Sequence, residues 1–548
     1  MTNIPRIPPG VVEPIMSVIA SSAVVDIALR KLGASRNRPP AAVGDSWLEN
    51  LAWGSDSFYA ATRLLFSGQF VGAAAILRSQ FERWTENVAF NCGVVHEEGE
   101  NFGDFAARAW AKFYSVGPYA EKIARPDQQE TGDSGDWDDE AREQCASGPY
   151  VIIGDGYHSH PGVLWVLMSD LLHGRDSVAE VVQWEAGDLL NSDGVDIWEA
   201  ASMLSEVMIL NLRQIRVCLA TGSKDPGLNR DLLSTVERMP AGRTPPMLQA
   251  LVPLKPNAGL HQRIVEGLKN AGRAYELVMQ GQRPAGRLYR DDEFSHLLFY
   301  ERRARAAHWA GWALEQEKEQ LGDAFNPANI DVREFQYIMA AEMAGLISVW
   351  AKGEPLGNAA AVCSSALRSA YWLWLEDDDR AMALLRSLLE QCARLSVWAG
   401  KRDRAEKLEG SPATTPKDWI NSAGYRRLSA LNRALGEFAH THARVRQAGA
   451  REILQNIQQD SQSEKAIHTA RGHALDSLSL LLMEACVKAV SAFSPVVADA
   501  FREIMEEVSG GDGAARNLEA FKNRTHAQRG ASLGDRTFYR PPDWIFRK

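Results

Sequence analysis

Two short stretches of the chain repeat one chemical pattern. Arg78 and Glu82 stand in "LRSQFE", and Arg386 and Glu390 stand in "LRSLLE" 308 positions later. A guanidinium and a carboxylate four residues apart share one face of a helix and can pair. On an exposed face such a pair contributes about 0.3–0.5 kcal/mol. Inside a bundle, facing a histidine of a third helix, it would become a buried polar network or a catalytic cleft. Histidines stand at suitable places: Asp170 precedes His173 by three residues, and Glu437 precedes His440 by three. Imidazole is the side chain that exchanges a proton near neutral pH. Arg78, Glu82, Asp170, His173, Arg386 and Glu390 are therefore the candidate polar network, with structural pairing as the expected role.

Acid-x-x-His also occurs in di-metal carboxylate bundles, where two such helices join two further glutamates. Each repeat here supplies one such helix and the glutamate of LRSxxE, and Glu293 and His296 form a third copy outside the repeat. No metal and no cofactor is expected. The six cysteines (Cys92, Cys145, Cys218, Cys363, Cys392, Cys486) are scattered without a C-x-x-C pair, which argues for reduced thiols rather than zinc or disulfides. No phosphate-cradling G-x-x-x-x-G-K-[ST] is present. "GASLG", Gly530 to Gly534, satisfies G-x-S-x-G but sits in a basic coil without the strand and helix that a nucleophile elbow needs. "DDEARE", 138–143, lies in a Gly-Ser-Asp loop, and the aspartates of "LEDDDRA", 375–381, are expected to cap the helix that follows.

The elements that must position these groups read at helical period almost throughout. In "WEAASMLSEVMILNLRQIRVCLA" the apolar residues Met203, Leu204, Val207, Met208, Leu212 and Ile215 recur at three- and four-residue steps. "YVIIGDG", 150–156, is the one short run with β character, so the class is all-α. Ser57 to Glu82 aligns on Ser365 to Glu390 without a gap, and "WVLMSDLLHGR" sits opposite "NRALGEFAHTH". Long apolar helices at 196–220 and 472–494 would close the two units. That order suits two related four- to five-helix bundles in tandem. The expected divisions are 1–222 for the first bundle, 223–258 for a connector with five prolines between Met239 and Gly259, 259–512 for the second bundle, and 513–548 for a basic aromatic tail. The acidic stretch 126–144 and the segment 410–419 read as loops. "YWLWLE", 371–376, reads as bundle core.

With 548 residues and 45 % hydrophobic content, the chain is long enough for two or three cores and too apolar for disorder. No run approaches the roughly 18 apolar residues of a membrane span, so a soluble, cytoplasmic protein without membrane contact is expected. A net charge of −10 argues against wholesale coating of nucleic acid. Arginine outnumbers lysine 45 to 15, as in GC-rich bacterial coding sequences. The tail reverses the charge, with eight Arg or Lys against three acids between Gly513 and Lys548. There Arg536, Phe538, Tyr539, Arg540, Trp544 and Phe546 could anchor a partner or stack and hold nucleic acid, and docking is preferred.

Arg433 and His440, seven residues apart on a late helix, resemble the Arg-x(4–6)-His pattern of HEPN domains, helical bundles that often act as metal-independent ribonucleases. The resemblance implies a histidine acid/base and an arginine stabilising phosphorane-like charge. In the first repeat Val166 stands where Arg433 would have its counterpart. The repeat over roughly 46–220 and 354–495 also looks like an uncharacterised family of bacterial helical proteins, which implies an all-α fold and a place among phage-resistance or stress genes. The leading expectation is a non-catalytic binding or regulatory protein, with a protein partner or self-association, in a defence or stress system. A ribonuclease using Arg433 and His440, with Glu437 and Arg386 as further candidates and RNA as partner, is the first alternative, and a di-metal bundle the second. Elemental analysis of purified protein should return no stoichiometric iron or manganese; a full complement would establish the di-metal bundle.

Overall fold

The computed structural model describes residues 57–64 (all but 58), 69–116, 150–153, 156–159, 161–175, 331–375, 379–439 (all but 412), 444–458, 466–509 and 513–534, with isolated positions between 179 and 324. The long apolar periods become helices, as expected for the all-α class. Helix α1 spans Phe70–Cys92 and α2 Phe102–Val116. Asn101 starts α2 by accepting the backbone N–H of Asp104 at 3.0 Å on its side-chain oxygen. The β-flavoured run forms a small antiparallel hairpin, β1 Tyr150–Ile153 with β2 Gly156–Ser159, in which Tyr150 faces Ser159. Helix α3 follows at Pro161–His173, its proline at the first helical position where no N–H is needed.

The second half is a denser succession: α4 Asp331–Trp350, α5 Pro355–Leu375, α6 Arg380–Gly400, α7 Arg402–Glu409, α8 Pro416–Ser422 and α9 Ser429–Ala439. It continues with α10 Arg444–Gln458, α11 Ala466–Val490, α12 Pro495–Ser509 and α13 Gly513–Ala527. Helix α6 is the hub, packed by α5, α8, α9 and α11, while α4 covers α5 and α11. Helix α5 can serve several neighbours because Gly357, Ala359, Ala360, Ala361, Ser364 and Ser365 are all buried small residues that let backbones approach. Helices α1, α2 and α3 pack on one another, and α1 and α3 also lie against α5 and α6. Buried side chains from Leu64, Phe81 and Trp110 through to Phe501 and Phe521 belong to one continuous apolar core.

Within that core Tyr371 and Trp374 of "YWLWLE" cluster with Tyr337, ring centroids 5.2–6.3 Å apart. The segment expected as a loop at 410–419 turns helical at Pro416. The Asp418 carboxylate accepts the Thr415 N–H at 2.9 Å and its hydroxyl at 2.6 Å, which fixes the first turn of α8. Asp379 precedes α6 but makes no side-chain cap, contrary to expectation. Its carboxylate is drawn instead to Arg471 of α11, at 2.9 Å, and to Arg451 of α10. Two full positive charges attract the carboxylate more strongly than the partial charges of backbone amides do. The helical body continues past 512: α13 buries Ala514, Leu518, Phe521 and Thr525, and residues 531–534 follow it as irregular chain.

The end of α3 is defined by backbone conformation. Gly174 has φ +59°, and the Arg175 N–H reaches back to the Asp170 carbonyl at 3.1 Å, closing a Schellman-type cap. A Cβ on residue 174 would stand 2.9 Å from Val362 Cγ2 and 3.1 Å from the Asn358 carbonyl of α5. Gly174→Ala therefore meets both left-handed strain and a clash, and should cost about 1–3 kcal/mol in chemical denaturation. An unchanged midpoint would show that this helix end is not seated on α5.

Candidate functional site

The repeated Arg–Glu pairs do not lie on the outer surface. In α1, Arg78 Nε donates to Glu82 Oε1 at 3.0 Å, and the Glu82 side chain is 9 % exposed. Trp165 of α3 donates its indole N–H to the same oxygen at 3.2 Å, and the Arg78 guanidinium lies 5.0 Å from the Trp165 ring centroid. One carboxylate thus answers two donors, and the aromatic face covers the cation, an arrangement stronger in a desolvated setting than at the surface.

The second copy is wired differently. Glu390 Oε1 faces His173 Nδ1 at 3.1 Å, so the histidine of the first half meets the glutamate of the second. Arg394, one turn further along α6, donates to the His173 carbonyl at 2.6 Å, and Gln391 reaches the Leu172 carbonyl at 3.4 Å. These donors satisfy orphan carbonyls at the C-terminus of α3, where a cation also complements the helix dipole. Arg394 is held in turn by Glu409 of α7 and by the Trp419 ring of α8, 5.1 Å from its guanidinium carbon. Burial pushes the Glu390 carboxyl up, but His173 beside it and the hydrogen bond between them, with Arg386 and Arg394, outweigh it and hold the group at about 2.

Arg386, the partner that the four-residue spacing assigns to Glu390, is left aside. It makes no hydrogen bond or ion pair among the described residues, and its Nε is shut off from solvent. Its guanidinium turns toward α9, where a Cβ on residue 436 would stand 2.7 Å from Nη1. Gly436 therefore makes room for it. Burial lowers the Arg386 pKa, Glu390 opposes that shift, and Arg78 adds to it by like-charge repulsion.

The remaining candidates fall elsewhere. Asp170 is buried at the end of α3 and pairs with Arg175 at 3.3 Å. Arg433 lies on the exposed side of α9 and donates to the carbonyls of Arg529 and Ala531, at 3.1 and 3.0 Å, beyond the end of α13. Glu437 is buried in α9, and Val166 is exposed on α3. His440, Glu293, His296, Arg536, Phe538, Tyr539, Arg540, Trp544 and Phe546 lie outside the described residues, as do the connector and the segment 196–220. Sequence reading overlooked Trp165 and Arg394. Arg394 had a signal, since Arg386, Glu390 and Arg394 continue one helical face at four-residue steps.

Cys363 and Cys392 approach to 4.0 Å between sulfurs inside the core, and burial raises the thiol pKa of both Cys363 and Cys486, which keeps them protonated and inert. Among the described residues no group of three His, Cys, Asp or Glu side chains could hold a metal ion, and no helix is long and apolar enough to cross a membrane. Compared with protein-family models, curated proteins and solved structures, the chain matches none.

Because the Glu390 carboxyl titrates lower in the folded chain than its ordinary 4.5, it contributes stability that is complete above about pH 4.5 and lost as pH falls toward about 2. Glu390→Gln should remove that portion of the acid limb and cost about 2 kcal/mol at neutral pH, since the His173 contact loses its carboxylate. Denaturation midpoints measured from pH 7 to pH 2 check both; parallel curves for variant and wild type would refute the pairing.

Proposed function

We propose that this chain is a non-catalytic binding or regulatory module, and that the polar seam where α1 and α3 meet α6 is its working part. One observation carries the reading. Arg386 excepted, the ionisable residues of the repeated motif are engaged, and their contacts tie helices together: Glu82 with Arg78 and Trp165, Glu390 with His173, and Arg394 with an α3 carbonyl. A carboxylate held near 2 is a poor general base at neutral pH, because catalytic groups work best with a pKa near the operating pH. Arg433, the cation that the HEPN resemblance points to, is occupied by two backbone carbonyls.

A seam tied by charge is a natural place for regulation, since polar ties respond to ions and partners while apolar packing does not. The pairing of α1 with α3 and of α6 with α9 is in keeping with descent from one duplicated bundle. A protein partner or a second copy of the chain fits this role better than RNA, given the net charge of −10.

The test is incubation of the purified full chain with single-stranded and structured RNA in chelator. The RNA should remain intact over hours. Cutting that is lost in both His440→Ala and Arg433→Ala would overturn the proposal in favour of a metal-independent ribonuclease.

A further inference from the structure

The contact that joins α13 to α11 exists in one protonation state only. Arg524 of α13 brings Nη2 to 2.8 Å from Nε2 of His473 in α11. A guanidinium stays protonated and can only donate, so that ring nitrogen is a bare acceptor and the imidazole is neutral. The same guanidinium donates through Nε to the Ile457 carbonyl of α10 at 2.7 Å, and Phe521 meets the His473 ring edge-on, centroids 5.6 Å apart. One arginine thus pins the last turn of α13 to two helices. Beyond the pin, residues 528–534 form a strap over α9 and α10. Arg433 holds the carbonyls of Arg529 and Ala531, and Leu533 is buried. The Leu533 backbone passes so close to Gly449 that a Cβ there would stand 2.7 Å from its carbonyl oxygen.

We propose that His473 and Arg524 form a pH-sensitive latch, which holds the last turn of α13 and the strap down at neutral pH and releases them on acidification. Imidazole is the side chain whose charge ordinarily changes between about pH 5 and 8. Its protonation removes the acceptor at Nε2 and sets two cations side by side. Both side chains are half-buried, where repulsion is screened less than at the surface. The other charged and titratable groups around this end of α11 are these. On α11 itself, Arg471 pairs with Asp379 ahead of α6, and Asp476 accepts the Tyr337 hydroxyl of α4. Glu334 of α4 is buried one turn before Tyr337. On α10, Arg451 shares Asp379 and Glu452 is exposed; on α13, Lys522 reaches Glu484 and Glu519, and His526 is exposed. Helix α5 brings the Trp374 ring against Gly472. Buried Leu518 and Phe521 keep the earlier turns of α13 seated, so release is confined to the helix end and the strap, and it uncovers α10 around Gly449.

The experiment is hydrogen exchange of the full chain, read by mass spectrometry at about pH 7.5 and about pH 5.5, on either side of the ordinary imidazole range. Labelling times are scaled to the intrinsic amide rate at each pH. Peptides covering 522–534 should lose protection by about tenfold at the lower pH, while peptides from α6 keep theirs. His473→Gln offers Arg524 an amide oxygen that does not titrate, and should hold the segment protected at both pH values. His473→Phe keeps a ring beside Phe521 but has no acceptor, and should leave the segment unprotected at both. Arg524→Gln should abolish the pH dependence. Equal protection of the wild type at both pH values would overturn the proposal. So would the same loss in His473→Gln, which would move the sensing to Asp476 or Glu334. If the variants fail to fold, the wild-type comparison decides the matter alone.

Discussion

The structure depends on how the C-terminus of α3 is seated on α6. A helix end exposes carbonyls that need donors, and here the donors come from another part of the chain: Arg394 and Gln391 reach the His173 and Leu172 carbonyls while Glu390 meets the His173 ring. Gly174 lets the chain turn away against α5 without a side chain in the gap. Because these contacts join residues more than 200 positions apart, they hold the first-half helices to the second half in a defined register. Apolar burial supplies the bulk of the attraction, but it is non-directional, and the polar ties select which surfaces meet.

That seat also explains why two copies of one motif behave differently. A glutamate four residues after an arginine has two choices, its own helix neighbour or a donor across the interface. In α1 the cross-interface donor is the Trp165 indole, which is neutral and can share Glu82 with Arg78. In α6 the partner is His173, whose ring takes Glu390, and Arg386 has no acceptor among the described residues. The same asymmetry appears one turn later, where α1 carries Glu86 and α6 carries Arg394.

The second half of the chain is braced in a similar way. Asp379 holds α10 and α11 to the start of α6 through Arg451 and Arg471, and a fully buried pair, Arg302 with Glu342 at 2.8 Å, ties a preceding segment to α4. Buried ion pairs of this kind add little net stability relative to apolar substitutes, yet removing one partner is expensive. Their effect is to make alternative packings of similar small-residue surfaces costly.

Helical class was legible in the sequence because the burial of one helix face imposes its period on apolar residues, as it does in α6, α9 and α12. The core role of Tyr371 and Trp374 was legible for the same reason, and so was the local pairing of Arg78 with Glu82, which depends only on helix geometry. The start of α8 was marked by Thr415, Pro416 and Asp418, a local signal outweighed by the Gly-Ser-Pro run before it. What sequence could not contain was the choice among partners once helices met. The partners of Asp379, Arg433 and Glu390 were each decided by which donor or acceptor the tertiary packing brought within about 3 Å, because charged groups take the nearest strong partner whatever its distance along the chain.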